Sequence, residues 1–319
     1  MTTKLLKAAG AAIAAICLAT TAQADYPEKP INMVIGFAAG GGTDLAGRAL
    51  AVELQDILGQ PVVVVNQPGA ASMIAAGTVA GARPDGHTVW FGSAGTLATT
   101  EVLGQAPTTF GEGLKLAGLS GALVAAIGAP PDSPFTSVQD IIDAARERPG
   151  ELRWSHNGVG AAFMVMGQGF VTANELDVVG VPFQGADAIR GALTGSQVDF
   201  GVLNAGDRLR LGDDQFKVFA AITSSRDEVI DPDLPTLSEL GLDFVEVPSP
   251  IGVLVPGETP DEVVATLSAA IEEATGRDSF IEAMTNLYIP VRHMGPEEGT
   301  AYIETLRANA ETLLPSLRN

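Results

Sequence analysis

The sequence predicts an α/β protein made of two units, each a mainly parallel sheet flanked by helices. Three observations predict it. Over the first hundred residues, short apolar runs alternate with helix-period segments in the order β-α-β-α-β, joined by short links. A second β-α-β-α run starts at Leu152. The 319-residue length, less a leader, suits two domains of ordinary size.

The leader comes first. Lys4 and Lys7 form a positive region, Ala8 to Leu18 an apolar core, and Ala22-Gln23-Ala24 an A-x-A cleavage signal. This reads as a secretory signal peptide cut after Ala24, with the mature chain starting at Asp25. The apolar run is too short to remain as a membrane anchor. Cys17 is the single cysteine and lies inside the leader, preceded by Ile16 rather than the small residue a lipoprotein needs. The expected mature chain is therefore cysteine-free, which excludes disulfides, thiolate metal sites and cysteine nucleophiles.

Ile31, Met33, Val34, Ile35 and Phe37 form the first strand. Gly40, Gly41 and Gly42 follow as a turn, and Asp44 sits where a helix N-cap belongs. Ala46, Leu50, Leu54, Ile57 and Leu58 then make one apolar stripe, opposite Arg48, Glu53, Gln55 and Asp56. A strand feeding a glycine turn at a helix N-terminus is either a tight βα connection or an anion site. There, unpaired N–H groups and the positive end of the helix dipole converge. The phosphate motifs are absent: no Lys-Ser/Thr follows the glycines, and Leu45 stands where G-x-G-x-x-G needs its third glycine.

Gly59-Gln60-Pro61 stops this helix before the strand Val62–Val65. Asn66 to Ala71 is a turn, Ser72–Ala82 a helix of small residues, and His87–Gly92 the third strand. Leu119–Ile127 reads as one further apolar run. Thr136 to Gln139 reads as a capping box opening the helix Ser137–Arg148. Strands follow at Leu152–Ser155, Val178–Pro182, Val198–Leu203 and Val218–Ile222, with helices at Ala162–Ala173 and Asp187–Leu193. A short helix is expected at Leu237–Leu240 and a strand at Ile251–Val255. Thr259-Pro260-Asp261-Glu262 joins a capping box to a proline at the first helical position, and the helix runs to about Thr275. Helices near Ser279–Leu287 and Pro296–Leu314 close the chain.

The formal charge is −20, and losing Lys4 and Lys7 with the leader makes the chain more acidic still. Such a surface argues against nucleic acid and against anionic membranes as partners. The three histidines, His87, His156 and His293, are scattered, so no metal centre is expected and no cofactor is implied. His156 alone sits in a glycine turn. Ser93 faintly resembles a nucleophile elbow, but Phe91 occupies the place of its first glycine.

The loops carry more information. Ala38 to Asp44 (Thr43 included), Gly92 to Thr96 (with Ser93 and Ala94) and His156 to Ala161 are strand-end turns rich in glycine and small polar residues. Phe183, Gln184 and Gly185 form a fourth, and Asn204 and Asp207 follow a further strand. Ligands of open α/β sheets sit beyond the carboxyl ends of the strands, so two facing units bring these turns to one cleft. A ligand there meets backbone donors rather than a lysine or arginine clamp.

The stretch YPEKPINMVIGFAAGGGTDLAGRALAVELQDILGQPVVVVNQPGA, then RPDGHTVWFGS, resembles the solute-binding receptors of tripartite tricarboxylate transporters, the Bug-type receptors. The likeness continues through GVPFQGADAIRGALTGSQVDFGV, LPTLSELGLDF and VPGETPDEVVATLSAAI, and covers essentially the whole mature chain. It implies a periplasmic two-domain Venus-flytrap fold of type II. It implies capture of a small organic acid between the domains, without chemistry, and delivery to membrane permease subunits; a monomer is expected, since a single flytrap needs no partner to close. Crossings near Ala126 and Val247 place residues 25–126 with 247–319 in domain one and 127–246 in domain two. The resemblance assigns the ligand carboxylate to Phe37, Ala38, Ala39, Gly40 and Gly41, with Asp44 ordering the loop. From domain two it assigns Asn157, Gly158, Val159, Gly160 and Ala161.

This chain departs from the family pattern at Ala161, where a serine is common, at Met164, where a histidine is common, and at Gln168, where a glutamate is common. The departures point to a ligand with an apolar or aromatic part, or an unusual acid, rather than citrate. The competing reading is that Met164 packs its helix against the sheet. Two other functions fit the same residues: a receptor presenting its ligand to a sensor kinase, and a secreted hydrolase using Ser93 with His156.

Overall fold

The computed structural model describes residues 26–317, apart from 159, 184, 185, 213 and 247. The leader with its cleavage site, Val159, Gln184, Gly185 and Val247 thus lie outside the described residues.

Two sheets form the frame. The first contains β1 (Ile31–Ile35), β2 (Val62–Asn66), β3 (Thr88–Ser93), β4 (Leu114–Leu123), β10 (Ser249–Pro256) and β11 (Val291–Met294), in the order β11-β4-β10-β3-β1-β2. The second contains β5 (Ala125–Ala129), β6 (Arg153–His156), β7 (Val179–Pro182), β8 (Phe200–Asn204) and β9 (Lys217–Ala221), in the order β7-β6-β8-β5-β9. The parallel pairing expected from the βα alternation holds for β2-β1-β3 and β7-β6-β8. The crossing strands run antiparallel to their neighbours, because the chain leaves and re-enters each sheet at the cleft. The apolar run Leu119–Ile127 is therefore two strands in two sheets, broken at Val124. Ala126 pairs with Leu203 and Ala221, already inside the second sheet.

Helices cover both faces. On the first sheet, α1 (Gly42–Leu58), α8 (Asp261–Gly276) and α9 (Asp278–Asn286) bury Leu50, Leu54, Leu267, Ile271 and Phe280 against β1, β3 and β10. On its other face, α2 (Met73–Ala80), α3 (Ala94–Val102) and α10 (Pro296–Leu317) enclose Trp90 and Leu254. The second sheet is packed by α4 (Val138–Glu147) and α5 (Ala162–Ala173) over Trp154 and Phe200, and by α6 (Ala186–Thr194) over Leu203 and Val218. The short α7 (Asp207–Leu211) follows β8. Helix α10 serves both halves: Ile303 lies in the core of the first sheet and Leu313 in that of the second.

Several local expectations are corrected. Gly41, not Asp44, is the N-cap of α1, and Asp44 lies in the first turn. Glu53 is not on a solvated face: it is buried and receives hydrogen bonds from Arg277 and Ser279 of the α8–α9 corner. The capping box of α4 starts at Ser137, whose partner is Asp140, one residue later than the sequence suggests. Pro260 itself caps α8 and Thr259 gives no capping bond, because its hydroxyl turns into the core. Leu237–Leu240 is a turn, closed by reciprocal bonds between Thr236 and Glu239. Three elements were not legible: α3, α7 and β11.

Candidate functional site

The carboxyl ends of β1, β3, β6 and β8 face one another across a cleft between the sheets. The cleft has two chambers. The narrow one has a cavity volume of about 90 Å³ and is lined from both halves, by Gly41, Gly42, Thr43, Ser93, Thr96 and Ser249 on one side and Asn157, Phe163, Asn204 and Asp207 on the other. The wide one, about 540 Å³, lies between the loops Gly36–Ala38 and Pro68–Ser72 and the second-sheet residues Asn157, Gly158, Pro182 and Phe183. Phe37, Ala38 and Asn157 border both and form the waist.

Three helices start at the narrow chamber. Helix α3 is capped by its own Ser93, whose Oγ accepts from the Thr96 N–H at 3.1 Å. Helices α1 and α5 are not: their N-caps, Gly41 and Ala161, offer no side-chain acceptor. The first-turn N–H groups of a helix point out along its axis, here into the chamber. The first N–H of α5 is met from across the cleft, where Ala162 donates to Thr96 Oγ1 at 3.2 Å.

The two loops are braced differently. In the first, Asp44 is 1 % exposed and its carboxylate accepts from the Gly40 N–H, from Arg48 and from Asn66 Nδ2. Burial alone would raise its pKa, but these donors overbalance it and hold the carboxyl below its usual range. Asn66 also donates to the Phe37 carbonyl, so one buried anion ties the glycine loop to β2. Gly40 takes φ +88°, a conformation that strains other residues. Gly41 has an ordinary φ of −76°, so its glycine serves access rather than backbone freedom.

In the second loop the brace is His156. It is buried, 4.9 Å from the Trp154 ring, and its Nδ1 accepts from the Gly158 N–H at 3.3 Å. Burial pushes the imidazole down to about 4, so it is neutral near pH 7 with its proton on Nε2. Gly160 then packs on α3 of the first half. At φ +81°, a Cβ there would come within 2.7 Å of Thr100 Cγ2.

Of the residues expected at the site, Phe37, Ala38, Gly41, Thr43, Ser93, Thr96, Asn157, Asn204 and Asp207 line the narrow chamber, and Gly158 and Phe183 the wide one. Of the rest, Asp44, Ala94, Gly160 and Ala161 are buried behind the walls, while Ala39 and Gly40 are exposed and line neither chamber. Met164 is in the core of the second half and Gln168 bonds to Thr172 along α5, so neither departure from the family pattern faces the cleft. Phe163 does, and was missed, as were Ser249, Leu123 and Leu203. Leu123 and Leu203 lie in stretches that read as core strands, and Ser249 lies just before the strand expected at Ile251–Val255. The Pro68–Ser72 wall was missed too, although its position after a strand, as for the other turns, was a usable signal.

Asp207 puts a carboxylate at the narrow chamber, but it is paired with Arg210 at 2.5 Å and feels the charge of Arg190. Ser93 Oγ is 3.0 Å from Ser249 Oγ, while His156 is committed to Gly158. These bonds do not join Ser93 and His156 as nucleophile and base, so the hydrolase reading gains no support. No group of three metal-ligating side chains occurs among the described residues.

Two mixed α/β units joined by crossing strands, with a cleft at their strand ends, define a two-domain solute-binding protein of the Venus-flytrap class. Residues 46–313 match the Tripartite tricarboxylate transporter family receptor. A Bordetella pertussis protein of the UPF0065 group is 30 % identical over 281 residues, covering 86 % of both chains. The periplasmic binding protein BugD superposes with a TM-score of 0.83 at 28 % identity, covering 91 % of this chain and 98 % of its own. Rpa4515 from R. palustris, solved with adipate, gives 0.83 at 26 % identity, covering 92 % and 98 %. The chain belongs to the tripartite tricarboxylate transporter receptor family, whose members bind solutes.

Proposed function

We propose that this protein is an exported receptor that closes on a small organic carboxylate and delivers it to the membrane subunits of a tripartite transporter. The observation that carries the carboxylate is the convergence of three helix N-termini, two whose own N-caps carry no acceptor, on one chamber shared by both halves. Backbone donors then hold the anion without lysine or arginine, as dipoles suffice in a cleft sheltered from water. Each charge-assisted bond contributes about 1.5–3 kcal/mol, and three or four reach the roughly −8 kcal/mol of micromolar binding before association costs. The adipate bound by Rpa4515 supports the same ligand class.

In this reading the leader is cleaved after Ala24 and the chain works in the periplasm as a monomer without cofactor or reaction. No helix among the described residues is long and apolar enough to cross a membrane. The moving bodies are the two sheets with their helices, the first crossing falling at Val124 between β4 and β5, which leaves Ala125 and Ala126 with the second body. Helix α10 acts as a third tie between them.

A thermal-shift screen of refolded protein against mono-, di- and tricarboxylates, amino acids and sugars tests the proposal. An acid at a hundred times its dissociation constant adds about 2.7 kcal/mol and raises Tm by a few degrees. A shift with sugars and none with acids would overturn it.

A further inference from the structure

We propose that the ligand is an elongated monocarboxylate, its acid head in the narrow chamber and an uncharged acyl or aromatic tail in the wide one. This rests on the carboxylate-receptor reading and specifies its substrate class.

The narrow chamber has room for a head group of a few atoms; the wide chamber is several-fold larger and adjoins it, sharing Phe37, Ala38 and Asn157 as walls. A ligand held by its head alone leaves the larger space unused. The walls of the wide chamber are apolar: Pro68, Ala70, Ala71, Pro182 and the two rings of Phe37 and Phe183. Among the described residues, neither lysine, arginine nor histidine lines it, and its polar side chains are Ser72 and, at the waist, Asn157. The Ser72 hydroxyl is already engaged, accepting from Trp90 Nε1 at 3.1 Å, and the residue is 1 % exposed. Among the described residues, three helix starts converge on the narrow chamber, whereas the wide one meets a single start, that of α2 behind the engaged Ser72, so a second carboxylate there would lose water for fewer donors than the first. A tail of methylenes or a ring gains from the same walls.

The floor of this chamber is built at a cost. Ala70, Ala71 and Ser72 take φ of 46°, 52° and 77°, three successive non-glycine residues in the left-handed region. Such backbone persists only where the surroundings impose it. Here they do: Ser72 is pinned by Trp90 and fits against Gly36, where a Cβ would come within 1.8 Å of its Oγ. The strained turn presents the methyl groups of Ala70 and Ala71 to the cleft, an apolar surface that glycines would not give.

Calorimetric titration of the refolded protein with propionate, butyrate, hexanoate, octanoate, 3-phenylpropionate and adipate tests this. Affinity is expected to rise about fourfold per added methylene. Hexanoate is expected to bind at least about tenfold tighter than adipate, which has the same length and a second charge. Phe183→Ala should weaken hexanoate by about tenfold and leave propionate unchanged. Should that variant fail to fold, the wild-type series decides alone. Adipate binding as tightly as hexanoate, or affinity independent of chain length, overturns the tail assignment while leaving the carboxylate receptor standing. Binding of no acid at all overturns both.

Discussion

The two loops that meet at the narrow chamber are built on opposite plans. The first is braced within its own half, where Asp44, Arg48 and Asn66 lock the glycine turn to β2. The second leans on the other half, since Thr96 meets its first helical N–H and Thr100 bounds Gly160. One face is thus prepared for an anion before closure and the other is finished by it. A ligand that docks first on the prepared face and then draws in the second converts binding energy into closure.

That asymmetry ranks the expected effects. Asp44→Ala should be most severe, because it unties Gly40 and removes the carboxylate that holds Arg48. Affinity for the acid should fall by about 100-fold, as expected for losing two charge-assisted bonds, with Tm also lowered. Calorimetry and melting curves read both. Gly160→Ala should cost about tenfold in affinity by holding the halves apart, with the first loop untouched. Adding Thr100→Ser, which removes the obstructing methyl, should recover part of that loss, and no recovery would sever the loop from closure. Thr96→Val removes the acceptor for Ala162 and should weaken binding by roughly fivefold, mostly through faster release.

The last effect falls on stability rather than on binding, and it depends on pH. His156 has its pKa lowered from 6.5 to about 4 by burial. The unfolded chain therefore takes up a proton near pH 6.5 that the folded chain refuses until about pH 4. Stability from this residue is full above 6.5, falls between 6.5 and 4 by about 3 kcal/mol, and is flat below. His156→Gln should flatten the acid limb of Tm against pH. An unchanged limb would assign the acid sensitivity elsewhere.

What was legible follows the same division. The first loop lies on one continuous stretch, a strand, a turn and an amphipathic helix, each with a period visible in sequence. The turns at strand ends were found because topology alone sends them to the cleft. Helix α3 was not found, since its residues are small and threonine-rich and hold helical form through burial. Strand β11 pairs with β4 irregularly and leaves no alternating signature. Of the two readings of Met164, the packing one fits its place in the core of the second half. Which face of α5 meets the cleft depends on how the helix sits on its sheet, and that brought Phe163, which shares a core cluster with Met164, to the chamber wall. Ser249 and Leu123 reach the chamber only because β10 and β4 cross between sheets, a tertiary fact with no local pattern.

The central claim is that a carboxylate sits between the starts of α1 and α5. Protein labelled with nitrogen-15 at glycine and phenylalanine reports on both through the amides of Gly41, Gly42 and Phe163, followed during titration with hexanoate. The account predicts that these three resonances move together along one binding curve, with the dissociation constant that calorimetry gives. Resonances that stay fixed while heat is released would place the acid elsewhere and contradict it.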